Sequence, residues 1–166
     1  GRSRVRVRPP VVLVPLAIQI ERQRGDLLVR QLGIPCVANL PAGRFLPIAD
    51  RLGLVRELDL TTLKLALAEL ESDPGLSGLW INLSAKAIGD HAFRDRMLDV
   101  LAEHPASRNR LWLEIPESGG LARLEALRAM SRDLKPLGCK LGLEHYGHHF
   151  DQIGHLYDLG LDFLKV

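Results

Sequence analysis

The sequence is short of most features that announce a specialised class of protein. It has only two cysteines in 166 residues. Cys36 and Cys139 lie far apart and neither belongs to a CxxC pair, so they read as packed thiols of a reducing compartment, not as a disulfide framework. Net charge is nearly balanced, at +2, and aromatic residues make up only 5%. The one basic concentration, GRSRVRVR with Arg2, Arg4, Arg6 and Arg8, therefore has no aromatic platform beside it. It reads as an exposed strand edge or interdomain surface, and DNA and RNA are set aside as partners. The longest apolar run, VVLVPLAIQI at 11–20, is interrupted by Pro15 and ends against Glu21. It is far short of the roughly 20 residues a transmembrane helix needs. No secretory signal peptide stands out. With 46% hydrophobic and 25% charged residues, the expectation is one soluble, cytoplasmic domain with a real core.

What is present is a rhythm. LSGLWINLS (76–84), RLWLEIPES (110–118), CKLGLEHYG (139–147) and LDFLKV (161–166) are short apolar runs. Each reaches a polar residue near its C-terminal end: Asn82, Glu114, Glu144 and Lys165. Continuous runs of this length suit strands of a parallel sheet buried on both faces. Between them lie helical stripes. Leu60, Leu63, Leu67 and Leu70 follow Asp59 as an N-cap; Phe93, Met97, Val100 and Leu101 form a second stripe. Leu124, Leu127, Met130 and Leu134 form a third, stopped by Pro136 and Gly138, and Ile153, Leu156 and Leu159 a shorter fourth. All four read as helices packing on a sheet.

Strand and helix alternating in this way predict βα units in an α/β fold. Six strands are predicted, at 5–14, 26–30, 78–83, 111–115, 140–144 and 162–166, against the eight of a complete (β/α) barrel. In such a barrel, functional residues gather at the C-terminal ends of the strands. Asn82, Glu114, Glu144 and Lys165 are thus expected at one mouth. An amide, two carboxylates and an ammonium could there hold a divalent cation and a phosphate.

The motifs carry a family resemblance. GRFLPIADRLGLVRELD (43–59), INLS (81–84), LEIPES (113–118) and LEHYGHHFDQIGHLYDLGLDFLKV (143–166) follow the order and spacing of the EAL domain, the cyclic-di-GMP phosphodiesterase and receptor fold. The third resembles that family's Leu-Glu-Ile-Thr-Glu-Ser motif. The fourth resembles its Asp-Asp-Phe-Gly loop, helix and Lys strand. The resemblance implies a TIM-like (β/α) barrel of the EAL type, with residues 1–166 as a partial domain truncated after about six strands. Active members bind two divalent metals, Mg²⁺ or Mn²⁺, which activate water to open one phosphodiester; two cations can generate hydroxide and stabilise both attacking and leaving oxygens.

Carried over by position, Asn82 and Glu114 are the family's metal-binding residues unchanged, and Lys165 is retained. Arg30 matches the arginine after the signature Glu-Ala-Leu and could contact ligand phosphate. The signature itself reads Asp26-Leu27-Leu28, with the carboxylate one methylene shorter. The glutamine expected before Pro10 is Pro9. The Asp-Asp pair is replaced by Glu144 and His145, and an imidazole has no anionic oxygen with which to bridge metals. The nucleotide site implied by the resemblance comprises Asp26, Leu28, Arg30, Asn82, Glu114, Glu144, His145, Tyr146, Gly147 and Lys165.

His145, His148, His149 and His155 could be read as a zinc cluster. A structural site needs four ligands in tetrahedral geometry, and the cysteines are not placed to help, so a loop surface near the nucleotide is preferred. The expectation is a catalytically silent receptor of the LapD type that needs no cofactor. It would bind cyclic-di-GMP and signal to neighbouring domains or a partner protein, as a cytoplasmic output domain, including one of an inner-membrane protein; a homodimer is open to it. An interaction domain without nucleotide binding is the first alternative. A weakly active phosphodiesterase is the second, using Mg²⁺ or Mn²⁺ held by Asp26, Asn82, Glu114 and Glu144.

Overall fold

The computed structural model describes residues 42–144 and 157–165. The strands predicted at 5–14 and 26–30, and most of the fourth helical stripe, lie outside the described residues.

Helix α1 (Ala42–Arg51) leads into α2 (Val55–Ser72), then strand β1 (Leu79–Asn82). A short α3 (Ala85–Ile88) and α4 (His91–Glu103) connect to β2 (Leu111–Pro116). The chain continues through α5 (Glu117–Leu121) and α6 (Leu124–Leu134) to β3 (Lys140–Glu144). It ends on β4 (Phe163–Leu164). Among the described residues the four strands lie in sequence order, β1-β2-β3-β4, and each pairing is parallel. Sequential order is the wall of a βα barrel; a doubly wound sheet would reverse its order partway.

Alternation along the strands separates two faces. Leu79, Ile81, Leu111, Leu113, Ile115, Leu141 and Leu143 are buried against the helices. There they meet the stripes read from sequence: Leu63, Leu67 and Leu70 of α2, Met97 and Leu101 of α4, and Leu127, Met130 and Leu134 of α6. Leu124 packs against this core only in part. The third stripe does end where expected, in a 3-10 turn at Lys135–Leu137 followed by left-handed Gly138 at φ 80°.

The other face is built of different side chains. Its register rows are Trp80–Trp112–Lys140 and Asn82–Glu114–Gly142–Phe163. Trp80 and Trp112 are half-buried and stack at 4.5 Å between ring centroids, with Phe163 edge-on to Trp80 at 4.8 Å. Aromatic and polar side chains alternate with the aliphatic ones, so the apolar runs conceal two chemically distinct faces.

Two expectations are corrected. Asp59 does not cap α2: the helix begins at Val55, because Val55 and Leu58 already extend its buried stripe. Strand β4 spans two residues, not the five of 162–166. Cys139 is a free, buried thiol whose Sγ–H donates to the Arg108 carbonyl at 3.2 Å. Burial pushes its pKa up to about 11, so it is an unreactive packed thiol. Cys36 lies outside the described residues. Among the described residues, no helix is long and apolar enough to cross a membrane.

Candidate functional site

The strand ends gather the polar residues that their sequence positions predicted. Asn82 is the last residue of β1 and pairs in register with Glu114 of β2. The next residue, Leu83, donates its N–H to the Glu114 carbonyl at 2.8 Å, which locks the two strand ends together. Glu144 closes β3 in register with Pro116. Lys165 follows β4, and its N–H donates to the Leu143 carbonyl at 2.8 Å.

Glu114 is only 2% exposed, while Asn82 is open to solvent. A carboxylate buried to that degree needs a counter-charge or several donors. Lys165 supplies the charge: its Nζ donates to both oxygens of Glu114, at 3.1 and 3.0 Å. The two residues sit on strands separated by β3. The strand between them offers Gly142 in the same register row, and a Cβ there would lie 2.5 Å from both the Phe163 ring and its backbone oxygen. With no side chain on β3 in that row, Phe163 packs directly over Gly142. The Lys165 Nζ also lies 5.9 Å from the Trp80 ring centroid, within cation–π range.

A cavity of about 630 Å³ opens beside these strand ends. It is lined by Asn82 and Glu144, by Ser84 and Lys86 after β1, and by Asp50 and Asp59 from α1 and α2. Lys86 and Asp50 pair across it at 2.6 Å. Asp59, 3% exposed, accepts a hydrogen bond from the Ser84 N–H at 3.0 Å. Ser84 in turn caps α3, its Oγ accepting from the Ala87 N–H at 3.3 Å.

Sequence reasoning missed Asp59, Asp50 and Lys86. The signal for Asp59 was a carboxylate within an otherwise apolar helical face, which it read as a cap. Nothing in the sequence marked Asp50 and Lys86, whose approach depends on how α1 meets α3. Asp26, Leu28, Arg30, His145, Tyr146 and Gly147 lie outside the described residues, as do His148, His149 and His155. The strand ends among the described residues bring Glu114, Glu144 and Asn82, with Glu114 already carrying an ammonium, while Asp50 and Asp59 on the cavity wall are engaged by Lys86 and the Ser84 N–H.

A strand-ordered parallel sheet, helices on one face and acidic and amide residues at its carboxyl edge define a βα-barrel domain with a polar mouth. The EAL domain pattern matches residues 30–166, and the chain belongs to the EAL domain family. Its curated relatives include the cyclic di-GMP phosphodiesterase PdeA of Borreliella burgdorferi, 28% identical over 130 residues, which are 76% of this chain and 19% of that protein. Among solved structures, the FimX EAL domain of Xanthomonas citri in complex with c-diGMP matches at 26% identity and a TM-score of 0.67, over 76% of this chain and 51% of the other. The apo S helix-GGDEF-EAL region of Vibrio cholerae LapD has the same fold, with a TM-score of 0.72 at 20% identity, over 79% of this chain and 32% of the other. The chain spans about a fifth of the length of the curated relative.

Proposed function

We propose that this chain is part of a catalytically silent EAL domain that binds cyclic-di-GMP at the strand ends and signals to neighbouring domains or a partner protein, as receptors of the LapD type do. The observation that carries this reading is the lost carboxylate beside Glu144: the next residue is His145, where the family resemblance places a second carboxylate.

A two-cation centre needs anionic oxygens that bridge the metals. Among the described residues no group of three or more His, Cys, Asp and Glu is gathered to hold a metal ion, and His145 supplies no bridging oxygen. Hydrolysis through paired Mg²⁺ or Mn²⁺ does not follow from such a donor set. Binding needs less. The cyclic dinucleotide carries two phosphodiester charges and many hydrogen-bonding edges. Asn82, Ser84 and Lys86 offer donors along a cavity whose volume falls within the usual range for small-molecule sites. The solved FimX domain with its bound nucleotide supports the same reading by analogy.

Calorimetric titration of cyclic-di-GMP into the protein, with excess EDTA and again with Mg²⁺, tests this. Binding that ignores the chelator is the expected result. Binding only with Mg²⁺, followed by linear dinucleotide that disappears in Glu114→Ala, would establish a weak phosphodiesterase instead, as the name of the Borreliella burgdorferi relative suggests. No heat in either condition would leave a domain that binds only protein partners.

A further inference from the structure

Asp59 is a buried carboxylate without a role in the reading above, and its placement gives it one. It sits within α2, 3% exposed, on the wall of the cavity that Asn82 and Glu144 also line. Its Oδ2 accepts from the Ser84 N–H, joining positions 25 residues apart. Ser84 is two residues beyond Asn82 and has extended backbone (φ −67°, ψ 146°), so its N–H is not consumed by helix α3. The connection between β1 and α3 is thus tied at two points. Leu83 is held to the Glu114 carbonyl at 2.8 Å, and Ser84 is held to Asp59 at 3.0 Å. Asn82 is the residue that these two ties orient.

We propose that Asp59 is a positioning residue for nucleotide binding: by holding the Ser84 amide, it fixes the β1 end so that the Asn82 side chain faces the ligand. The proposal rests on the receptor reading. A buried N–H that loses its acceptor must find another or face water. The turn can satisfy it by shifting, and Asn82 shifts with it. Displacements near 1 Å at a site residue are enough to cost much of a positioned interaction.

The test measures cyclic-di-GMP affinity in EDTA for the protein and for Asp59→Ala, Asp59→Asn, Asn82→Ala and the Asp59→Ala/Asn82→Ala double variant, each checked for folding by circular dichroism. Asp59→Ala is expected to weaken binding about tenfold, roughly 1.4 kcal/mol. Asp59→Asn, which keeps an acceptor oxygen, should stay close to the wild type. In the Asn82→Ala background, removing Asp59 should cost nothing further, because its effect runs through Asn82. Multiplicative losses in the double variant, or an Asp59→Asn variant as weak as Asp59→Ala, would mean that Asp59 acts on the nucleotide directly and would overturn the proposal.

A second readout needs no nucleotide. The Asn82 side-chain amide resonances should move or broaden in Asp59→Ala and remain in place in Asp59→Asn; unmoved resonances overturn the proposal even if the wild type binds nothing. A wild type that fails to bind removes the receptor reading alone. Should Asp59→Ala fail to fold, Asp59→Leu serves in its place, since it fills a similar buried volume in α2 without offering the Ser84 N–H an acceptor.

Discussion

A carboxylate with 2% exposure draws almost no solvation from water, so the ion pair of Glu114 with Lys165 is as much a matter of stability as of function. The pair is asymmetric. The lysine side chain is 55% exposed, while that of the carboxylate is 3% exposed. Removing the lysine therefore strands a buried acceptor, whereas removing the carboxylate frees a cation that water can solvate. Lys165→Met is expected to destabilise the fold by about 1–3 kcal/mol. Glu114→Gln should cost less, because the amide keeps an oxygen for the ammonium. Urea denaturation of the two variants checks the order. A Lys165→Met variant as stable as the wild type would show that Glu114 draws its compensation from elsewhere.

Between elements, α2 and α4 are joined by an ion pair of the opposite kind, exposed and bidentate. Arg96 donates Nη1 to Glu57 Oε1 at 2.5 Å and Nη2 to Oε2 at 2.9 Å. The Arg96 hydrogen bonds hold the Glu57 carboxyl below its ordinary value of 4.5. A lowered folded-state pKa means that the unfolded chain takes up the proton first. The stabilisation is therefore complete above the ordinary value and is lost as the pH falls through the lowered one. The melting temperature of Glu57→Gln should accordingly lie below that of the wild type near neutral pH, with the gap closing as the pH falls through the lowered value. Because the pair is exposed, the gap should be small and shrink in high salt. A gap that is constant with pH would assign the effect to packing.

These elements were largely legible beforehand because the stripes that form them obey simple periods. Leu63, Leu67 and Leu70 are spaced for a helix, and KLGLE is strand β3 to the residue. What the sequence concealed depends on neighbours. Asp59 has the chemistry of a cap, but its partner is an amide 25 residues away. Trp80 and Trp112 look like more core in an apolar run, yet they occupy the face opposite the helices. The strand-end residues were legible because one position per strand repeats; the cavity beside them was not, since α1 brings Asp50 to Lys86 from a separate part of the chain.

At the scale of the whole molecule, the sheet separates two functions on its two faces. Aliphatic side chains hold the helices, and the opposite face carries an aromatic layer directly beneath the polar mouth. The sequence has two tryptophans, and both belong to that layer. Trp80 precedes Asn82 by two residues and Trp112 precedes Glu114 by two, each on the same face as its polar neighbour. The Lys165 ammonium lies 5.9 Å from the Trp80 ring centroid and holds both oxygens of Glu114. A phosphodiester arriving at the strand ends competes with Glu114 for that ammonium, and any movement of the cation changes the field across the indole. Tryptophan emission should therefore shift when cyclic-di-GMP is added in EDTA. The shift should be largely lost in Trp80→Phe and reduced in Lys165→Met. Nucleotide binding seen by calorimetry without any change in emission would place the ligand away from the strand ends, on a surface that neither tryptophan overlooks.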